Sequence, residues 1–140
     1  MKGIPNVLSP ELLKVIMEMG HADDLVIADG NFPAASTAAR LVRADGLGAV
    51  ALLDAILTLF PLDTFVKSPA ALMLVVPGDD YRPDIWKEFR RVVRRREPRF
   101  PGFEMMERFD FYERARSAYA VVATGERARY ANIILKKGLV

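Results

Sequence analysis

His21 is the only histidine in these 140 residues, and the chain has no cysteine, so proton transfer near neutral pH falls largely to this one imidazole. It stands in the segment MGHADDLVIAD, where a helix is expected to stop and a buried strand to begin. A ring at such a junction can face a cleft. Asp23, Asp24 and Asp29 follow it, but one histidine without cysteine falls short of the nitrogen and sulfur ligands that tight metal sites gather. No metal is expected, and only a weak, oxygen-rich magnesium site stays open. No serine lies in a GxSxG elbow, and neither a P-loop nor GxGxxG is present, which removes nucleophilic serine chemistry and nucleotide cofactors. What remains is an imidazole, carboxylates, and a turn near the C-terminus supplying Tyr130 and Asn132. Carboxylate and carboxamide oxygens accept from hydroxyls, and an aromatic ring covers an apolar face, so the set suits a polyhydroxylated small molecule. On the residues alone, plainer roles stay open: a capping role for His21, core packing for Tyr130, a turn role for Asn132.

The elements that must carry these groups are legible as alternating strands and helices. Ser9 and Pro10 open a helix whose apolar stripe is expected at Leu12, Leu13, Ile16 and Met17, with Gly20 closing it in the left-handed conformation. Residues 25 to 28 form a continuously apolar run ending at Asp29, as in a strand covered on both faces. Small residues from Asn31 to Ala39 predict a loop with a short helix, and Arg43, Asp45 and Gly46 a turn. A buried helix is expected over Val50 to Phe60, a strand over Leu72 to Val76, and a basic helix from about Pro83 to Arg96. A strand at about Glu104 to Arg108 and a short helix from Phe111 to Ser117 follow. Two last strands, Tyr119 to Thr124 and Asn132 to Lys136, flank the GERARY turn. The pattern predicts one α/β domain spanning residues 1–140, three layers with a mostly parallel central sheet and helices on both faces. Ligands in such sheets sit beyond the carboxyl ends of strands, where Asp29 and Pro77 to Asp79 fall.

Composition bounds the class. Apolar residues make up 51% and charged residues 27%, the balance of a globular domain with a core of its own. No apolar run approaches the roughly 20 residues needed to cross a bilayer, and no secretory leader opens the chain, so no membrane partner and a cytoplasmic location are expected. Net charge is only +2, yet Lys87, Arg90, Arg91, Arg94, Arg95, Arg96 and Arg99 crowd one segment against Glu88 and Glu97. Ile85, Trp86, Phe89, Val92 and Val93 recur there at helical spacing, which leaves the arginines on the opposite side. That is a solvated face, and no nucleic-acid partner is expected.

Three stretches carry a resemblance: SPELLKVIMEMGHADDLVIADGNFPA, VRADG, and RFDFYERARSAYAVVATGERARYANIILKKG. Together they are similar to the sugar mutarotases that include the L-fucose mutarotases and D-ribose pyranases, the fucose branch being the closer match. The resemblance spans the chain and is weakest between about Lys67 and Phe103. It implies a cofactor-free enzyme interconverting the α and β anomers of a free monosaccharide, with L-fucose first; D-ribose, or a binding module without turnover, is the alternative. His21 matches the family's acid/base histidine. Asp29, Arg108, Tyr130, Ala131 and Asn132 match positions that hold the sugar, with Tyr130 also relaying a proton. The family further implies homo-oligomers, from dimers to decamers, in which a neighbour helps complete the site. Ala22 and Ala131 replace glycines common in the family, so each adds a methyl group where positive φ or close ligand approach would favour glycine.

Overall fold

The computed structural model describes residues 1–140. At its start the Ser9 hydroxyl accepts from the Leu12 N–H at 3.1 Å, and Pro10 takes the first helical position, where a missing amide costs nothing. The helix so opened, α1 (Pro10–Glu18), buries Leu12, Val15 and Ile16 and leaves Met17 82% exposed. With about 3.6 residues per turn, positions 12, 15, 16 and 19 share a face that position 17 does not. The expected stripe is therefore corrected: Val15 belongs to it and Met17 does not.

The chain continues through β1 (Asp24–Ala28), α2 (Ala34–Thr37), β2 (Leu41–Ala44), α3 (Ala49–Leu57), β3 (Ala70–Met73), α4 (Ile85–Arg96), β4 (Glu104–Met106), α5 (Arg108–Ser117), β5 (Ala120–Thr124) and β6 (Ile133–Lys136). All six strands join one sheet in the order β2-β5-β1-β6-β3-β4. Five run in one direction. Only β6 runs against them, antiparallel to both β1 and β3.

Side chains alternate across this sheet. Leu25 and Ile27 of β1 pack into the layer that holds α1, α3 and α4, while Val26 and Ala28 pack into the layer of α2 and α5. Coverage on both faces is what makes β1, β3 and β5 apolar at nearly every position. The mostly parallel three-layer α/β architecture expected from sequence is the one observed.

Some boundaries differ. The stretch at Arg43 is a strand and not a turn: β2 pairs with β5 as an edge strand, and the turn begins at Asp45, whose carboxylate accepts from the Arg43 side chain at 3.1 Å. An edge strand with an exposed arginine lacks the apolar run that marks its buried neighbours. Arg108, expected at a strand end, opens α5 instead, because the Glu107 carboxylate accepts from the N–H groups of Phe109 and Asp110 at 2.8 and 3.1 Å and caps the helix. Along α4, Ile85, Phe89, Val92 and Val93 are buried, Arg95 and Arg96 each reach Asp54 of α3 at 3.0 Å, and Arg90, Arg91 and Arg94 face outward. No helix is long and apolar enough to cross a membrane.

Candidate functional site

Because β6 is antiparallel to β1, the residues that enter β6 meet those that leave β1 at one rim of the sheet. Asp29 and Asn132 thus touch although 103 residues separate them: the Asp29 N–H donates to Asn132 Oδ1 at 2.7 Å. The Asp29 carboxylate, 4% exposed, accepts from the N–H groups of Asn31 and Phe32, both at 3.0 Å, and from that of Ala131 at 3.2 Å. Burial pushes this carboxyl above its ordinary range, and the amides of Asn31, Ala131 and Phe32 work against that push. The result is a carboxylate fixed by its own loop at the edge of an open hollow.

Tyr130, three residues before β6, adopts the left-handed conformation, φ 57°. Its carbonyl accepts from the Trp86 indole N–H at 2.8 Å, so α4 ties down the turn. Its hydroxyl donates to Asp79 at 2.8 Å and accepts from the Val76 N–H at 3.3 Å. Asp79 in turn holds Arg129 at 2.6 Å and accepts from the Tyr81 N–H. The Tyr81 amide, the Tyr130 hydroxyl and Arg129 keep the Asp79 carboxyl below the usual carboxylate range.

Asp29, Arg129, Tyr130 and Asn132 border a hollow of about 300 Å³, enough for a monosaccharide ring. Asp29, Arg108, Tyr130 and Asn132 give it acceptors, a cation and a hydroxyl, while Phe32, Met73, Val76 and Tyr112 give it an apolar side. The Arg108 guanidinium lies over the Phe109 ring, 4.6 Å from its centroid, and forms no ion pair within the chain.

His21 sits elsewhere. It precedes β1, so the five residues of that strand, roughly 16 Å at about 3.3 Å each, separate it from Asp29. Its side chain is 38% exposed, and its Nε2 lies 3.1 Å from Oδ1 of the buried Asp63. Phe65, 73% exposed, packs its ring 5.4 Å from the imidazole. The left-handed residue in this turn is Ala22, φ 72°, and not Gly20 as expected; α1 ends instead on extended Met19. The Ala22 position does call for glycine-like backbone, and alanine occupies it. Ala131 has no positive φ and is fully buried, so its extra methyl fills core space.

Of the residues singled out by sequence, Asp29, Arg108, Tyr130 and Asn132 line one hollow, whereas Ala131 is fully buried behind it and spends its N–H on the Asp29 carboxylate. The structure does not bring His21 to them within one chain. Sequence reasoning missed Arg129 as part of this hollow and Asp63 as the partner of His21. Arg129 adjoins Tyr130 and could have been found; Asp63 carries no local signal, being 42 residues from its partner. No three histidine, aspartate or glutamate side chains converge as a metal site would require.

Residues 2–140 match the model of the RbsD / FucU transport protein family. The chain belongs to that family. It is 48% identical over 139 residues to an L-fucose mutarotase of Actinobacillus pleuropneumoniae serotype 5b (strain L20), covering 99% of this chain and 96% of that one. It is 50% identical over 146 residues to a human fucose mutarotase, covering 100% and 94%. A crystal structure of the fucose mutarotase from Streptococcus pneumoniae in complex with L-fucose is 51% identical, with a TM-score of 0.95 and coverage of 100% and 99%. As a member of the RbsD / FucU family, the chain thus keeps the family fold over its whole length.

Proposed function

We propose that this protein is an isomerase-type mutarotase that interconverts the α and β anomers of L-fucose by opening and reclosing the sugar ring. One observation carries the reading: Asp29, Arg108, Tyr130 and Asn132 converge on a sugar-sized hollow in a chain 51% identical to a fucose mutarotase solved with L-fucose. Fucose is a 6-deoxy sugar, and the Phe32, Met73 and Val76 side of the hollow suits its methyl group.

The reaction moves two protons and needs no cofactor. The anomeric hydroxyl gives up its proton as the bond between C1 and the ring oxygen breaks, and the ring oxygen takes a proton to become a hydroxyl. Rotation about C1–C2 presents the other carbonyl face, and reclosure reverses both transfers. Tyr130 is placed to receive the first proton: its hydroxyl already donates to Asp79, so a proton arriving from the sugar moves the phenolic one toward that carboxylate. Asp29, Asn132 and Arg108 hold the remaining hydroxyls, and the Ala131 N–H keeps Asp29 aimed.

His21, as imidazolium, protonates the ring oxygen and recovers that proton on closure. Since a strand's length separates it from the hollow of its own chain, a second copy delivers it. Each half of the site is flanked by an exposed aromatic, Phe65 beside His21 and Phe109 beside Arg108, as a surface covered by another subunit would be. The enzyme would act as a homo-oligomer in the cytoplasm.

Saturation-transfer NMR on L-fucose tests the reading: the protein accelerates anomer exchange over buffer, and His21→Ala slows it by about 10²- to 10⁴-fold. No acceleration for fucose, ribose or galactose would defeat the enzyme, and an unaffected His21→Ala variant would remove the imidazole from it.

A further inference from the structure

Asp63 is a buried carboxylate that the sugar-holding hollow does not use. Its Oδ1 accepts from the Phe65 N–H at 3.1 Å and lies 3.1 Å from His21 Nε2. Burial would lift the Asp63 carboxyl, but the Phe65 amide, His21 and Lys136 outweigh it and hold the group below its ordinary range. At neutral pH it is an anion, and an anionic carboxylate only accepts. The nitrogen that faces it must therefore carry the hydrogen.

The backbone enforces this meeting. The Asp63 N–H donates to the Lys136 carbonyl at 3.0 Å, and the Gly138 N–H donates to the Pro61 carbonyl at 2.7 Å. A Cβ at Gly138 would stand 2.5 Å from the Leu62 carbonyl oxygen, so only glycine lets this loop settle on the tail of β6. The histidine turn is fastened to the same tail, where the Ala22 N–H donates to the Lys137 carbonyl at 2.8 Å. One stretch of backbone thus clamps both partners. The ring's other nitrogen, Nδ1, has no hydrogen-bond partner in the chain, and the imidazole is partly exposed.

Resting on the mutarotase reading of His21, we propose that Asp63 is a positioning residue that fixes the imidazole as its Nε2–H tautomer and makes Nδ1 the nitrogen that exchanges protons with the sugar. As imidazolium, the ring donates Nε2–H to Asp63 and Nδ1–H to the ring oxygen; after the transfer it is neutral, already in the tautomer whose Nδ1 lone pair takes the proton back. No tautomer change interrupts the cycle. The other charged groups near this dyad have their own partners or stations: Lys136 pairs with Asp24, Lys137 Nζ donates to the Ile16 and Met19 carbonyls, and Asp23 accepts from the Gly20 N–H. Glu97 and Arg99 line a second hollow together with Asp63.

Because His21 is the sole histidine, ¹⁵N-imidazole NMR reads it without ambiguity. With the ring neutral, the wild type shows the Nε2–H form alone. Asp63→Ala relaxes it to the mixture of free imidazole and slows L-fucose exchange at least about tenfold, with the KM for fucose little changed. Asp63→Asn, which keeps an oxygen for the Phe65 and His21 contacts, restores the Nε2–H form and most of the rate. A wild-type spectrum showing Nδ1–H or the free mixture overturns the proposal by itself, whether or not the alanine variant folds. So does an Asp63→Ala variant with unchanged tautomer and rate. An inactive His21→Ala beside a fully active Asp63→Ala sinks this assignment and leaves the mutarotase standing, whereas an active His21→Ala sinks the mutarotase reading itself.

Discussion

Ala22 carries a cost that the rest of the turn absorbs. An L-residue with a Cβ at φ 72° is strained by roughly 1 kcal/mol, and the amide bond to Lys137 holds it there because the alternative would swing His21 away from Asp63. Ala22→Gly relieves that strain while loosening the unfolded chain, so the net expectation is a gain of up to about 1 kcal/mol, read as a higher urea midpoint at unchanged slope. Anomer exchange should not fall, since the backbone path is already the glycine-like one. Tyr130 shares the left-handed conformation, but its ring and hydroxyl are engaged with Val76 and Asp79, so glycine there would remove more than it relieves. Asp29, Arg108, Tyr130 and Asn132, which line the hollow, were legible in the sequence, and Asp63 was not. The reason is physical: a buried carboxylate that meets its partner through the tail of a distant strand leaves no spacing to read.

Helix α4 and strand β6 set the geometry of the hollow. Helix α4 was legible as amphipathic, yet its most consequential side chain for the site is Trp86, whose indole N–H fixes the Tyr130 carbonyl. Trp86→Phe keeps the ring volume approximately and loses that bond. It should cost about 1 kcal/mol of stability and raise the KM for fucose more than it lowers kcat, because the turn that presents Tyr130 and Asn132 loosens. Strands β1, β3 and β5 were readable as apolar runs because helices cover both their faces. Strand β2 was not, because at the sheet edge it shows Arg43 to solvent and gives way at once to the Asp45–Gly46 turn. The direction of β6 could not be read at all from periodicity, which is the same for parallel and antiparallel neighbours. That one direction decides which residues share a rim and which lie a strand apart.

For the whole molecule, acid should act through its carboxylates. Asp54, Asp63 and Asp79 all lie below the ordinary range in the folded state. A depressed group adds stability above its unfolded pKa of about 4 and loses it as pH falls through the folded value. The urea midpoint should therefore hold from neutrality down to about pH 5 and drop below about pH 4, and Asp63→Asn should flatten part of that drop. Asp29, raised by burial, works in the opposite sense: its contribution is present at low pH and is lost as pH rises through its folded value. The proposed division of the site between two copies can be tested directly. His21→Ala and Asn132→Ala, each inactive alone, should regain anomer exchange when unfolded together and refolded as a mixture, because some junctions then pair an intact imidazole with an intact hollow. No recovery would mean that both halves must come from one chain.

His21 and the hollow lie at opposite rims of one sheet. If a second copy supplies the imidazole, as proposed, folding and turnover draw on different contacts, and dilution should silence this protein well before it unravels. A solitary subunit would give the circular dichroism of the native fold and leave fucose to mutarotate at its spontaneous pace.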